Sequence, residues 1–285
     1  MSSRANSSVD RRARLLAEVR PFRPVAVQLM KLIQDPSQPL SRIVGLLRTD
    51  SVTTAEVLRL ANSPLFGCRS EVRNILHAVA LMGADRISSF IFTTAMKGLA
   101  DTRRSTLAHS CWRHCLTTAL LSECLSALMA LPSEKSYIAG LIHDIGRLAL
   151  LRVFPEYEPA LQRTKSKGVD LLAAERAVCE IDHCEAGRWL LCQWGCPIEL
   201  QNVAAYHENP PATQTLDKAL ISVVCASSQL AELMEAQAAP SDLEERLPKI
   251  ALTFPEASRQ SFIQRFPITA EWVITRVNSI EQSLL

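Results

Sequence analysis

Nowhere in the 285 residues do 18 uninterrupted apolar residues occur, and the N-terminus holds no continuous apolar segment. The first absence argues against a membrane-spanning helix and the second against a secretory leader, so the expectation is a cytoplasmic protein with no membrane association. An excess of one charge is lacking too. With 31 Lys+Arg against 29 Asp+Glu, the net charge of +2 exerts no global pull on nucleic acid. Strand signals are nearly absent, with no convincing period-two run flanked by Asn-Gly or Asp-Gly. No internal repeat or low-complexity tract occurs. Nine cysteines are present but no C-x-x-C. Cys111/Cys115 and Cys192/Cys196 are spaced i,i+4, as on one helix face, and the gap between Cys179 and Cys184 fits no zinc knuckle either. The cysteines read as small, reduced, buried hydrophobes.

What is present is a hydrophobic fraction of 48% with 21% charged residues, the balance of a globular chain long enough for one large domain or two small ones. Met1 to Arg14 carry four arginines against one aspartate. This reads as a basic, flexible tail over residues 1–18, with an arm for a partner or nucleic acid as the alternative. From Val25 onward the apolar spacing is helical throughout. Asp35-Pro36-Ser37 breaks the first helix, Ser41 reads as an N-cap for Arg42 to Leu47, and Thr53 or Thr54 as the cap of Ala55 to Ala61. Asn62-Ser63-Pro64 ends that helix, Gly83 closes a helix from Ile75, and Asp85 to Leu99 forms a buried one. Trp112 to Leu128, Glu134 to Val153, Leu171 to Val178, Glu185 to Trp194, Ile198 to His207 and Leu216 to Glu235 follow. Leu247 to Leu252 and Phe262 to Val277, interrupted by Pro255 and Pro267, read as a terminal cap or a dimerisation arm. The predicted fold class is all-α.

Within Tyr137 to Leu150, an apolar helical run, sits His143-Asp144. Helical neighbours i and i+1 are about 100° apart and can lean into one groove, which makes the pair two ligands for a divalent metal. The alternative is a polar pair satisfied by caps and neighbouring side chains, since burial without partners is costly. Of six histidines, His114, His183 and His207 fall in helices of the same second half. Each also has a structural reading: a half-buried helix residue, a helix start capped by Asp182, and a helix end favouring an imidazolium. His77 and His109 offer nothing beyond such a role.

The order His114, His143-Asp144, His183, His207 resembles the helical HD metal-dependent phosphohydrolase superfamily, and more specifically the HDOD domain, its relative in bacterial signalling. Ala55 to Gly67 resembles the N-terminal "LLRLANSxxFG" segment, and Ile75 to Gly83 the "IxxAIxxLG" helix. Ala139 to Leu151 resembles "AGLLHDIGRLALL", His183 to Pro197 resembles "HxxxGxxLLxxWxLP", and Tyr206-His207 matches the first half of a terminal "HH". The likeness spans roughly residues 20 to 212. It implies a multi-helix HD-like bundle with an N-terminal helical subdomain. Residues 19–212 would form the HDOD domain, split into an N-terminal helical part (19–106) and an HD-like part (107–212). Residues 213–285 would complete or cap the bundle.

HD hydrolases hold one or two metals on His, His-Asp and a distal Asp, and the metal activates a water; HDOD proteins are regarded as non-catalytic. In this chain Ser228 stands where the distal Asp is expected, and no carboxylate occurs between Lys218 and Ala231. A hydroxyl is a poor ligand for a hard cation. Glu208 replaces the second histidine of "HH", and the Gly-Tyr-Pro signature of cyclic-di-GMP phosphodiesterases is missing. A further departure, Asp50-Ser51 in place of Asp-Pro, still reads as a helix start. The resemblance therefore implies no catalysis and no required cofactor. His114, His143, Asp144, His183 and His207 are a candidate vestigial or weak site for residual Mn, Fe, Mg or Zn. The leading reading is a stand-alone regulatory protein acting on a signalling partner, with a homodimer also compatible. Asn209-Pro210-Pro211 and Thr269 to Leu285 are the candidate surfaces. The alternative is a metal-dependent phosphohydrolase acting on nucleotides or cyclic dinucleotides.

Overall fold

The structure is a computed structural model, and it describes residues 13–20, 22–32, 38–63, 71–100, 105–159, 161, 170–211 and 217–283. Among them every regular element is helical. The all-α expectation holds. The expected break at Asp35-Pro36-Ser37, most of the basic tail and the end of the Ala55 to Gly67 segment lie outside the described residues. Packing begins inside the stretch read as tail, because residues 13–17 are helical and Leu16 and Val19 are buried.

Helices α1 (Pro24–Leu32), α2 (Leu40–Leu47), α3 (Ser51–Ala61) and α4 (Ile75–Met82) form an N-terminal layer, and α1, α3 and α4 lean on α5 (Ala84–Ala100). Two expected caps move toward the N-terminus. Asp50, not Thr53 or Thr54, starts α3, because its carboxylate accepts from the amides of Val52 (3.0 Å) and Thr53 (3.1 Å). Pro39, not Ser41, precedes α2, where a fixed proline φ suits a helix start. Asn62 does more than end α3: its side chain accepts from Val72 N at 2.7 Å and donates to Val72 O at 2.8 Å. It thus pins a residue ten positions later. Gly83 ends α4 at φ +80°, a left-handed value that costs glycine nothing.

Helix α5 joins this layer to the second half by packing on α7 (Ser133–Ile142) and α8 (Ile145–Val153). Helix α6 (Thr106–Leu125), continued by a 3-10 turn at Ser126–Met129, is the central rod. It is buried on nearly all sides against α7, α12 (Lys218–Glu235) and α14 (Glu256–Ser283). Trp112 on this rod is fully buried; burial of a large apolar side chain contributes roughly 1.5–3 kcal/mol. Helices α9 (Leu171–Cys179), α10 (His183–Gln193) and α11 (Ile198–Tyr206) follow in the chain, with α10 packed on α8 and α11. Helix α13 (Pro240–Ala251) and α14 close over α12 and α6. One hydrophobic cluster runs through both halves.

Three expectations need correction. The helix expected from Glu134 to Val153 is two helices, broken at His143-Asp144. Pro267 does not interrupt α14, and Pro248 lies within α13; burial of Phe262, Phe266 and Val273 holds α14 together across its proline. Cys124, near the end of α6, and Cys192 are exposed; Cys192 and Cys196 do not share a helix face, because α10 ends at Gln193. Among the described residues no single helix is long and apolar enough to cross a membrane; α4 and α5 pass such a test only together, bent by 104°.

Candidate functional site

Two glycines bring the site together. A Cβ on Gly146 would stand 1.9 Å from His183 O, and one on Gly140 would stand 2.8 Å from Thr118 O. Only a bare backbone lets the start of α8 touch the start of α10, and α7 touch α6. Between these two contacts lies the break at His143-Asp144. Asp144 O starts α8 by accepting from Arg147 N at 2.9 Å, while the Asp144 side chain caps nothing. That carboxylate is left to face the bundle interior.

All five candidate residues are buried and converge there. Three imidazoles are anchored through Nδ1, which donates to Gly140 O from His143 (2.7 Å), to Glu175 Oε2 from His183 (2.7 Å) and to Ala204 O from His207 (3.1 Å). Such anchoring sets the tautomer and turns each Nε2 inward. His183 Nε2 and His207 Nε2 are 3.3 Å apart, and each is 3.4 Å from Asp144 Oδ1. Glu208 Oε1 stands 3.5 Å from His183 Nε2 and 3.8 Å from His207 Nε2. The Cys184 thiol lies 3.5 Å from His183 Nε2. His143 Nε2 lacks any hydrogen-bond partner.

His114 lies against His143, ring centroids 5.3 Å apart, but its nitrogens are turned to other partners. Its Nε2 is 3.1 Å from Ser228 Oγ and its Nδ1 is 3.3 Å from Glu235 Oε2, so both ring nitrogens are committed.

The electrostatics follow from burial and pairing. Burial drives His143 well below the ordinary histidine range and keeps it neutral, outweighing the nearby Asp144 charge. Burial pushes Asp144 up, but the Arg147 guanidinium, 2.7 Å away at Nη1, and the surrounding imidazoles outweigh it and hold the carboxyl well down. Glu208 is lowered to about 2, chiefly by its hydrogen bond with His183. Glu175 stays ionised against its burial because His183 and Tyr157 hydrogen-bond to it. Burial and the Arg147 charge push His183 down, but its hydrogen bonds with Cys184, Glu175 and Glu208 outweigh them and raise it well above the ordinary histidine range, so Asp144, Glu175 and Glu208 are balanced by an imidazolium as well as by the Arg147 guanidinium.

Sequence reasoning missed Glu175, Arg147, Tyr157 and Cys184. Glu175 occupies an ordinary amphipathic helix, where a lone acid reads as solvent-facing. Arg147 follows Asp144 at i+3, which was the one available signal. Both take meaning only from how α8, α9 and α10 meet.

An HD-type metal centre requires His114, the His143-Asp144 pair and a distal carboxylate. His114 and His143 bring donor atoms to within 4.8 Å of each other and of an Asp144 oxygen. The set does not fit that centre. The distal position carries a hydroxyl, which is spent on His114, and His114 has no free nitrogen.

The sequence profile of the HDOD domain matches residues 20–210. The chain belongs to the HDOD domain family. An uncharacterized protein of Treponema pallidum (strain Nichols) is 24% identical over 234 residues, covering 80% of this chain; the match spans 44% of that protein's length. An HDOD domain protein of unknown function from Geobacter sulfurreducens superposes with a TM-score of 0.68 at 21% identity, over 97% of this chain and 96% of the other. A Shewanella amazonensis SB2B protein provisionally named a phosphohydrolase gives 0.69 at 19%, over 96% and 98%. A Marinobacter aquaeolei VT8 protein provisionally named a signal transduction protein gives 0.70 at 18%, over 93% and 60%. At these identities the structural likeness establishes the HDOD fold.

Proposed function

We propose that this HDOD protein is a bacterial, cytoplasmic regulatory component of signal transduction that acts through protein contacts and does not hydrolyse phosphoesters. The supporting observation is the His114–Ser228 contact of 3.1 Å, which puts a hydroxyl where the distal carboxylate of a hydrolase would complete its metal centre. Partner recognition falls to exposed apolar side chains on α14, Ile268, Trp272 and Ile274, within or beside the segment Thr269 to Leu285. The partner is a signalling protein or a second copy of the chain; nucleic acid is disfavoured by the near-neutral charge. The test couples cross-linking of the full chain in its native extract with a phosphoester panel containing added Mn, Mg and Fe. Capture that is lost in Trp272→Ala, with no turnover on the panel, supports the reading. Turnover abolished by His143→Ala with Asp144→Ala favours the second reading, a phosphohydrolase of nucleotides or cyclic dinucleotides, whose motive is the convergence of Asp144, His183 and His207.

A further inference from the structure

Away from the central cluster, a cavity of about 430 Å³ opens between α6, the end of α12 and α14, with Arg113, Met234, Glu235, Gln237, Ile274 and Val277 among the residues on its wall. Its size is that of a small-molecule site. Two of these side chains carry opposite charges, and both are held in place. The Arg113 guanidinium donates from Nη1 to Glu281 Oε2 and from Nη2 to Asn278 Oδ1, the latter at 2.9 Å. These contacts leave further donors of the guanidinium unused. Glu235 Oε2 faces His114 Nδ1 at 3.3 Å, and among the described residues Glu235 Oε1 has no partner. Charges fixed in this way bind a ligand with little loss of side-chain freedom.

The wall selects the chemistry of the ligand. Glu281 already neutralises Arg113, so no surplus of positive charge remains for a phosphate, and nucleotides are disfavoured. A ligand with one anionic and one cationic group answers both fixed charges: its carboxylate meets the unused donors of Arg113 and its ammonium meets Glu235 Oε1. Met234, Ile274 and Val277 complete the wall with apolar surface, and Ile274 stays 45% exposed until a ligand covers it. Gln237 is a second sign of a built site. It follows α12 at φ +47°, in the left-handed position that helices usually give to glycine. Strained residues of this kind gather at ligand clamps.

We propose that this cavity binds a free aliphatic α-amino acid, with Arg113 on its carboxylate, Glu235 on its ammonium, and Met234, Ile274 and Val277 against its side chain. An α-amino acid carries both charges on the carbon that bears the side chain, so one small molecule meets all three features of the wall. The site shares no wall residue with the central cluster, yet Glu235 also holds His114, whose ring lies 5.3 Å from that of His143. Occupancy therefore acts one contact away from that cluster. The site is independent of whether the chain works by partner contacts.

The experiment is isothermal titration calorimetry of the full chain with L-leucine, L-isoleucine, L-valine and L-methionine. The tightest binder is then compared with its amide, which lacks the carboxylate, and its N-acetyl form, which lacks the ammonium. One equivalent should bind, and each derivative should bind at least about 10-fold more weakly, the effect of losing one charge-assisted hydrogen bond. Glu235→Gln keeps an acceptor for His114 and should weaken the amino acid by a similar factor. Ile274→Trp, at an exposed position, fills the cavity and should abolish binding while circular dichroism shows an unchanged fold. A folded wild-type chain that gives no heat with any of the four at about 10 mM, above a millimolar Kd, overturns the site. So does binding indifferent to both variants, or a derivative that binds as tightly as its parent. Failed partner capture, or turnover on phosphoesters, would instead count against the regulatory reading alone.

Discussion

Glu175 Oε2 accepts from both the Nδ1 and the backbone amide of His183, at 2.7 and 2.8 Å, so one carboxylate oxygen fixes an imidazole and the first turn of its helix together. The other oxygen accepts from Tyr157 OH at 2.5 Å. Glu175→Ala strips three buried donors of their acceptor and should cost about 3 kcal/mol. Glu175→Gln, which keeps one acceptor, should cost about half as much. Urea unfolding monitored by circular dichroism measures both; equal losses for the two variants would contradict the role of the charge.

Arg147 is the charge partner of Asp144 inside the cluster. Arg147→Met leaves a buried carboxylate without its guanidinium and should lower stability by about 3 kcal/mol, with Arg147→Lys recovering part of the loss. An unchanged urea midpoint in Arg147→Met would show that the pair contributes nothing.

Glycines of the same chain should respond in opposite directions. Gly146→Ala would drive a methyl into His183 O and should cost at least about 3 kcal/mol or prevent folding. Gly45, within α2, has nothing within 4 Å of its would-be Cβ, so Gly45→Ala should stabilise by up to about 1 kcal/mol. Thermal melts of the two variants decide the matter.

Glu134 offers a pH dependence away from the site. Burial raises its carboxyl from 4.5 to about 8, against the opposing contact with Ser89 Oγ, 2.8 Å from Oε2. Between those values the folded chain keeps a proton that the unfolded chain has released, so this residue's share of stability is greatest below pH 4.5 and declines as pH rises toward 8. Glu134→Gln removes the slope. The melting temperature of the variant relative to wild type should climb from pH 5 to pH 8, and a flat difference would refute the assignment.

Much of this was readable from residue order. The helical spacing, Gly83 as a terminator, Asp182 as the cap of α10, accepting from Glu185 N at 2.8 Å, and the helix start at Asp50-Ser51 all depend on contacts within a few residues. The break at His143-Asp144 was not readable. Apolar periodicity continues through it, and the interruption arises because Gly140 and Gly146 press α7 and α8 against different neighbours.

The sequence by itself determined the all-α class, the HDOD resemblance and the five buried residues that meet at the centre, since these rest on local periodicity and on motif order. Tertiary structure alone decided which nitrogen of each histidine faces inward, that Ser228 and Glu235 occupy both nitrogens of His114, and that Glu175 and Arg147 belong to the cluster. Those outcomes depend on Nδ1 partners, and the partners of His183 and His114 come from other helices or from residues far along the chain. Only packing brings them within hydrogen-bonding distance.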